Sequence, residues 1–283
     1  MDLIYQIKAF ILGIVEGLTE FLPISSTGHL IIAGDLLNFD GPEVNTFSIA
    51  IQAGAIFAVC WFYRVKLWNI LTHLFEPGKD RQLAINIVVA FLPAAFLGVL
   101  LADLIERLLF NAVTVATALV LGGLIIFWIE NLHAKRTYAP RVQTMDDMTV
   151  KDAFLVGCMQ CIAMIPGTSR SGSTIIGGLV LGLSRKAATE FSFFLAIPTI
   201  FGATVYSLAK IFLKVSNEHT FTWTTDMTMG FTVGFIVSFI SALIVVKWLL
   251  RYVSSNDFKA FGWYRIIFGL IILATHYSGL VQW

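Results

Sequence analysis

Charge is what this chain has least of: Lys, Arg, Asp and Glu make up only 13% of its 283 residues, and they nearly cancel, to a formal net charge of +1. So little charge excludes an ordinary soluble domain. The lack of any dense basic face excludes nucleic acid as a partner. Cysteine is scarce as well, and Cys60, Cys158 and Cys161 are too few for a disulfide framework. The spacing of Cys158 and Cys161 is that of a redox motif, but both stand in apolar helical sequence with no further Cys and no nearby His, so they read as packing residues. No secretory signal is legible either. The N-terminus offers Asp2 and Lys8, and the apolar run behind them is cut by Glu16 without a small-residue cleavage site.

What fills the chain instead is apolar: 57% of residues are hydrophobic and the mean hydropathy is +0.81. That is the composition of a multi-spanning membrane protein whose main partner is the lipid bilayer. Six stretches, at about 46–63, 83–102, 112–130, 188–208, 228–248 and 263–283, can each cross roughly 30 Å of hydrocarbon as a helix. Two further apolar regions, 3–38 and 153–184, are broken near their middles by polar runs containing proline. Each is expected to form a re-entrant pair of half-membrane helices. The fold class is therefore an all-α polytopic membrane protein: six full transmembrane helices plus two re-entrant helix-loop-helix regions, in a single membrane domain covering 1–283.

Basic residues gather in four loops: Arg64, Lys66, Lys79 and Arg81; Lys135, Arg136, Arg141 and Lys151; Arg185 and Lys186; and Lys247, Arg251 and Lys259. With the broken regions re-entrant, all four fall on one side, which the positive-inside rule makes cytoplasmic, with both termini external. The other side keeps only Lys8, Arg107, Lys210 and Lys214. Trp61, Trp128, Trp248, Trp263 and Trp283 at span ends suit interfacial anchoring. A shift of 144 positions lays Gly13 on Gly157, Glu16 on Gln160, Ser25 on Ser169, Thr27 on Ser171, Gly28 on Gly172 and Gly34 on Gly178. The units, about 3–130 and 147–283, have opposite orientations on this topology. Such an inverted repeat places a shared site near the midplane, between the two broken helices.

The breaks are two polar knots, Glu16-Gly-Leu-Thr-Glu20-Phe-Leu-Pro23-Ile-Ser-Ser-Thr-Gly-His29 and Pro166-Gly-Thr-Ser-Arg170-Ser-Gly-Ser-Thr174. Such groups are costly in hydrocarbon and are expected to line a polar cavity within the protein. Ser25-Ser26-Thr27-Gly28 reads as the start of a half-helix, and Ser169-Arg170-Ser171-Gly172 repeats the pattern. Helix N-termini bind anions, and Arg170 adds a planar fork matched to phosphate oxygens. Together with Gly167 and Thr174 in the second knot, these describe a phosphate or diphosphate cradle. Glu16 and Glu20, one helical turn apart, either share a proton or hold a hard divalent cation, Mg2+ or Ca2+. His29 can act as general base to a serine or as acid to a leaving group.

Blander readings exist for all of them. A buried hydroxyl often only bonds a neighbouring helix, and Glu16, Glu20, His29 and Arg170 could form an ion-pair network that merely pins the loops. Asp35 and Glu190 read as interfacial, and Gln52, Asn86 and Gln160 as helix-to-helix hydrogen-bonding groups. The glycine pairs Gly13/Gly17, Gly178/Gly182 and Gly230/Gly234 read as close helix contacts, with self-association into a homodimer as the weaker alternative.

The paired knots resemble the signatures of the bacterial undecaprenyl-diphosphate phosphatases associated with bacitracin resistance. The similarity covers nearly the whole chain, including Glu190-Phe-Ser-Phe before the span with Pro198, and no motif position departs from the pattern. The resemblance implies an enzyme of the bacterial cytoplasmic membrane that converts undecaprenyl diphosphate to the monophosphate carrier lipid, at a site opening outward. By similarity, Ser26 is the nucleophile, His29 its acid/base partner, Glu16 and Glu20 the metal or proton-handling pair, and Arg170 the diphosphate clamp. Thr27, Ser169, Ser171 and Thr174 complete the cradle. The alternative from another class is a lipid-phosphate transporter built on the same cavity, since inverted repeats with broken helices are a transporter design.

Overall fold

The computed structural model describes residues 3–39, 44–135, 139–215 and 224–280. Arg136, counted above as a loop charge, and Trp283, counted as an anchor, lie outside the described residues. Eleven α-helices account for most of what is described: α1 Leu3–Thr19, α2 Ser26–Leu36, α3 Val44–Phe62, α4 Arg64–Thr72, α5 Lys79–Leu109, α6 Ala112–Ala134, α7 Val150–Gln160, α8 Arg170–Val180, α9 Arg185–Val215, α10 Thr225–Ser255 and α11 Lys259–Ser278. Among the described residues there is no strand, only a single bridge between Val142 and Leu183.

Six of these, α3, α5, α6, α9, α10 and α11, are long and apolar enough to cross a membrane, and they are the six expected from hydropathy. Their ends differ from the expected ones in one systematic way: α5 begins at Lys79 rather than near 83, and α10 runs on to Ser255 rather than stopping near 248. An apolar window stops at the first charges, whereas a helix continues past them as long as its backbone bonds hold. At the start of α5 the exposed Lys79 ammonium pairs with Asp147 at 2.8 Å.

The two broken regions are helix pairs. α2 and α8 have 11 residues each, so each is about 16 Å long, half of a bilayer's hydrocarbon. They begin at Ser26 and Arg170, positions related by the 144-residue shift. The residues just before them, Ser25 and Ser169, share a positive φ, 70° and 74°. L-residues rarely adopt that conformation, so the two knots repeat a strained backbone as well as a sequence pattern.

The four basic loops meet at one end of the bundle. Lys66 bonds Asp80 and Asp146 at 2.9 Å each. Arg141 pairs with Asp152, the same residue that closes a capping box with Thr149 at the start of α7. Arg185 pairs with the buried Glu130 at the end of α6, and Glu130 also accepts the backbone N–H of Phe258 at 2.9 Å. The first two loops are thus joined by an ion pair, the third reaches the end of α6 through Arg185, and the fourth meets the same Glu130 through a backbone N–H.

Close packing sets the position of α1. A side chain at Gly13 would run into the Gly234 carbonyl and one at Gly17 into that of Ser238, so α1 lies directly on α10. These glycines are used within the chain, and a homodimer would have to use another face. Behind the knots sits an aromatic core of Phe21, Phe191, Phe193 and Phe194, all buried, with Phe21 edge-on to Phe193 at 5.4 Å.

Candidate active site

The turn after α1 carries Glu20, and the N-terminus of α2 carries Ser26. Their side chains meet: Ser26 Oγ donates to Glu20 Oε2 at 2.6 Å. From the second knot, Arg170 Nη2 donates to the other oxygen, Glu20 Oε1, at 3.1 Å, and its Nη1 donates to the Ser192 carbonyl at 3.0 Å. The Phe21 ring lies 5.8 Å from the guanidinium carbon. Glu20 is therefore the joint between the knots, holding a hydroxyl with one oxygen and a cation with the other.

These groups line a polar cavity of about 180 Å³ together with Ser25, Thr27, Gly167 and Ser169 from the predicted set. Its remaining wall includes Gln52, Thr199, Ile200 and Ala203. A cavity this small fits a phosphorylated headgroup and leaves a long prenyl tail outside.

Glu16 sits one turn below, its carbonyl accepting the Glu20 N–H at 2.9 Å. It is fully buried, and among the described residues neither carboxylate oxygen has a hydrogen-bond partner. A bare carboxylate so placed is untenable, so Glu16 either carries a proton or faces a cation. The donor set fits a hard divalent ion only in part. No group of three His, Cys, Asp or Glu side chains converges among the described residues, which leaves two carboxylates, with the remaining ligands to come from phosphate oxygens and water.

The other predicted residues are placed differently. Ser169 Oγ caps α8, accepting the Gly172 N–H at 3.1 Å. Ser171 is fully buried and donates to the Leu22 carbonyl at 2.8 Å, tying the second knot to the first. Thr174 bonds Ser192 Oγ at 2.7 Å and the Arg170 carbonyl at 3.0 Å. Neither Ser171 nor Thr174 borders the cavity. Both nitrogens of His29 are engaged elsewhere than at Ser26 Oγ: Nδ1 bonds the Ser25 carbonyl and Nε2 the Tyr264 hydroxyl, each at 2.7 Å, with its ring stacked 4.0 Å from Phe268.

Several participants lay outside the predicted site set. Gln52 was taken as a helix-to-helix bonding group yet borders the cavity. Gln160 does bond across helices, accepting from Thr199 at 3.3 Å. Ser192 supports both Arg170 and Thr174. Arg265 of α11 went unremarked, although an arginine inside an apolar span is itself a signal.

Comparison with known proteins adds a second line. The family described as "Bacitracin resistance protein BacA" matches residues 9–271. Proteins described as "Undecaprenyl-diphosphatase" from Herminiimonas arsenicoxydans and Nitrosomonas europaea are each 54% identical over 283 residues, covering 100% of this chain and 99% of theirs. One from Pseudomonas fluorescens is 55% identical over the same length, covering 98% of that protein.

Proposed function

The chain belongs to the bacitracin resistance protein BacA family, and on that premise we propose that it is a multi-pass membrane phosphatase that hydrolyses undecaprenyl diphosphate to undecaprenyl phosphate and inorganic phosphate. The single observation that carries the mechanism is the Ser26–Glu20–Arg170 contact within one headgroup-sized cavity. Ser26 Oγ attacks the terminal phosphorus, its proton passes to Glu20 Oε2, and the bond from phosphorus to the bridging oxygen breaks. The lipid monophosphate leaves. Water then attacks the phosphoserine, its hydroxyl going to phosphorus and its proton to the serine oxygen, which frees phosphate and restores Ser26, while Glu20 gives up the proton it took to solvent. The donor fork of Arg170 swings from Glu20 onto phosphate oxygens and neutralises their charge, while the N-termini of α2 and α8 add backbone N–H groups.

In this reading Glu20 takes the role of base that was expected of His29, because it already accepts the Ser26 hydroxyl. His29, bonded to the Ser25 carbonyl, orients the start of α2. Glu16 and Glu20 would hold the divalent cation, which offsets charge on the diphosphate when bound. Ser25, Thr27, Gly167 and Ser169 surround the phosphates; Ser171 and Thr174 brace the knots from behind.

The same reading places α1–α2 and α7–α8 as re-entrant pairs in a bacterial cytoplasmic membrane, with the ion-paired loops inside and the cavity opening outward, in keeping with the loop charges. The transporter alternative has no support of its own: every relative described above bears the name of a diphosphatase. Phosphate release from a prenyl diphosphate by purified Ser26→Ala protein tests the mechanism. A rate near wild type would remove Ser26 as nucleophile.

A further inference from the structure

Among the described residues Arg265 is the largest fully buried side chain, 1% exposed. An arginine at such depth is expected beside a carboxylate. Here all five of its N–H groups go to neutral backbone carbonyls instead. Nε donates to Leu119 at 3.3 Å and Nη2 to Ala118 at 3.0 Å, both on α6. Nη1 donates to Pro23 at 3.1 Å and to Thr168 at 2.9 Å, and Nη2 also to Gly167 at 3.0 Å.

The last three carbonyls matter most. They lie in the turns of the two knots, outside any helix, and among the described residues they take no backbone donor. A buried carbonyl left without a donor is costly. Pro23 precedes Ser25 by two residues, and Thr168 adjoins Ser169. Those are the two positions with positive φ, 70° and 74°, and strained backbone persists only where its surroundings over-determine it. One guanidinium thus grips both strained turns at once.

The neighbourhood is cut to fit it. A side chain at Gly122 would overlap the Arg265 guanidinium, so α6 is hollowed at that point. The internal repeat supplies no second copy, since the 144-residue shift brings Leu121 to this place. A single residue spanning both halves is what a shared site between two repeats needs.

We propose that Arg265 is a positioning residue: by bonding the Pro23, Gly167 and Thr168 carbonyls it fixes the separation of the two knots, so that Ser26 and Glu20 from one and Arg170 from the other converge on a single phosphoryl group. This rests on the phosphatase reading above. Lysine keeps the charge but offers a point donor on a flexible stem, and it cannot span five carbonyls.

The test uses full-length purified protein and phosphate release from a soluble-length prenyl diphosphate, with thermal melting alongside. Arg265→Lys and Arg265→Met are expected to lose about 100-fold in kcat, the usual cost of misplacing reacting groups by roughly 1 Å, with a smaller change in KM. Glu130→Gln is the control for lost stability, because it weakens the pair of a fully buried carboxylate with the part-exposed Arg185, and the bond to Phe258 at the start of α11, without touching either knot. It should melt earlier yet keep its kcat. Gly122→Ala, which displaces the guanidinium without removing it, should lower kcat in a protein that still folds. Wild-type kcat in Arg265→Lys or Gly122→Ala overturns the proposal. So does a fall in kcat that Glu130→Gln matches at the same melting temperature. An inert wild type sinks the phosphatase reading, and this proposal with it; an active wild type beside an active Arg265→Lys sinks this proposal alone.

Discussion

Ser26 and Glu20 are joined by a 2.6 Å hydrogen bond in which the hydroxyl donates to the carboxylate. That direction is the one a nucleophile needs, since the oxygen that accepts the bond in the resting site is the oxygen that takes the proton during attack. Removing the hydroxyl removes the nucleophile itself. Ser26→Ala should therefore lower kcat by at least about 10⁴-fold, toward the scale of other nucleophile deletions. Glu20→Gln should cost on the order of 10²–10⁴-fold, the usual contribution of a positioned base. Phosphate-release assays on both variants check the order, and a Glu20→Gln enzyme as active as wild type would return the base role to another group.

Arg170 reaches Glu20 with one nitrogen and the Ser192 carbonyl with the other, so in the resting site its fork is held beside the cavity, from which it turns onto the phosphate. Arg170→Lys keeps a cation but loses the paired donors that match a phosphate edge. It should depress kcat/KM by more than tenfold, with both constants affected, because the clamp serves the bound and the reacting phosphate alike. Steady-state kinetics on prenyl diphosphates decide this; a change confined to KM would show that Arg170 only recruits the anion.

The sequence-level reading reached some of this and not the rest, for physical reasons. Local signals carried far: the Pro23 break, the serine at position 169 that caps α8, and the apolar length of six helices are all written in a few neighbouring residues. The basic loops grouped by charge are linked by the Lys66–Asp146 and Arg185–Glu130 pairs and by the Phe258 N–H on Glu130. Partnerships across the chain were not legible. His29 bonds Tyr264, 235 residues away, and Arg265 bonds Pro23 across 242, and neither distance leaves a local pattern. The hydroxyls of Ser171 and Thr174 look like those of Ser169 in a motif, yet helical rotation turns them toward the Leu22 carbonyl and Ser192 rather than the cavity.

That rotation predicts a division of labour. Ser171→Ala removes the tie to the Leu22 carbonyl, which keeps the Ile24 N–H at 2.7 Å, and Thr174→Val removes the bond to the buried Ser192 hydroxyl. The first should cost about 1 kcal/mol, the net worth of one hydrogen bond, and the second about 1–3 kcal/mol, the cost of stranding a buried polar group, and both should lower the melting temperature. Their effect on kcat should be smaller than that of Ser26→Ala. Parallel melting and activity measurements test it; a loss of kcat without a loss of stability in either variant would move that hydroxyl into the cavity's chemistry.

Glu16 poses the sharpest choice, because its two oxygens are buried without partners while Glu20 already serves Ser26 and Arg170. If a divalent cation bridges Glu16 to the diphosphate, chelator should abolish phosphate release and Mg2+ or Ca2+ should restore it. Glu16→Gln keeps the size but loses the charge that a hard cation requires. The metal concentration giving half-maximal rate should then rise by more than tenfold, with the rate at saturating metal depressed less. If Glu16 instead holds a proton, Gln is a near-isostere of the neutral acid and the metal titration should not move. The same titration on Glu20→Gln separates the carboxylates: a cation held by both shifts in each variant, whereas one held chiefly by Glu16 leaves Glu20→Gln with a low rate and a nearly normal metal requirement.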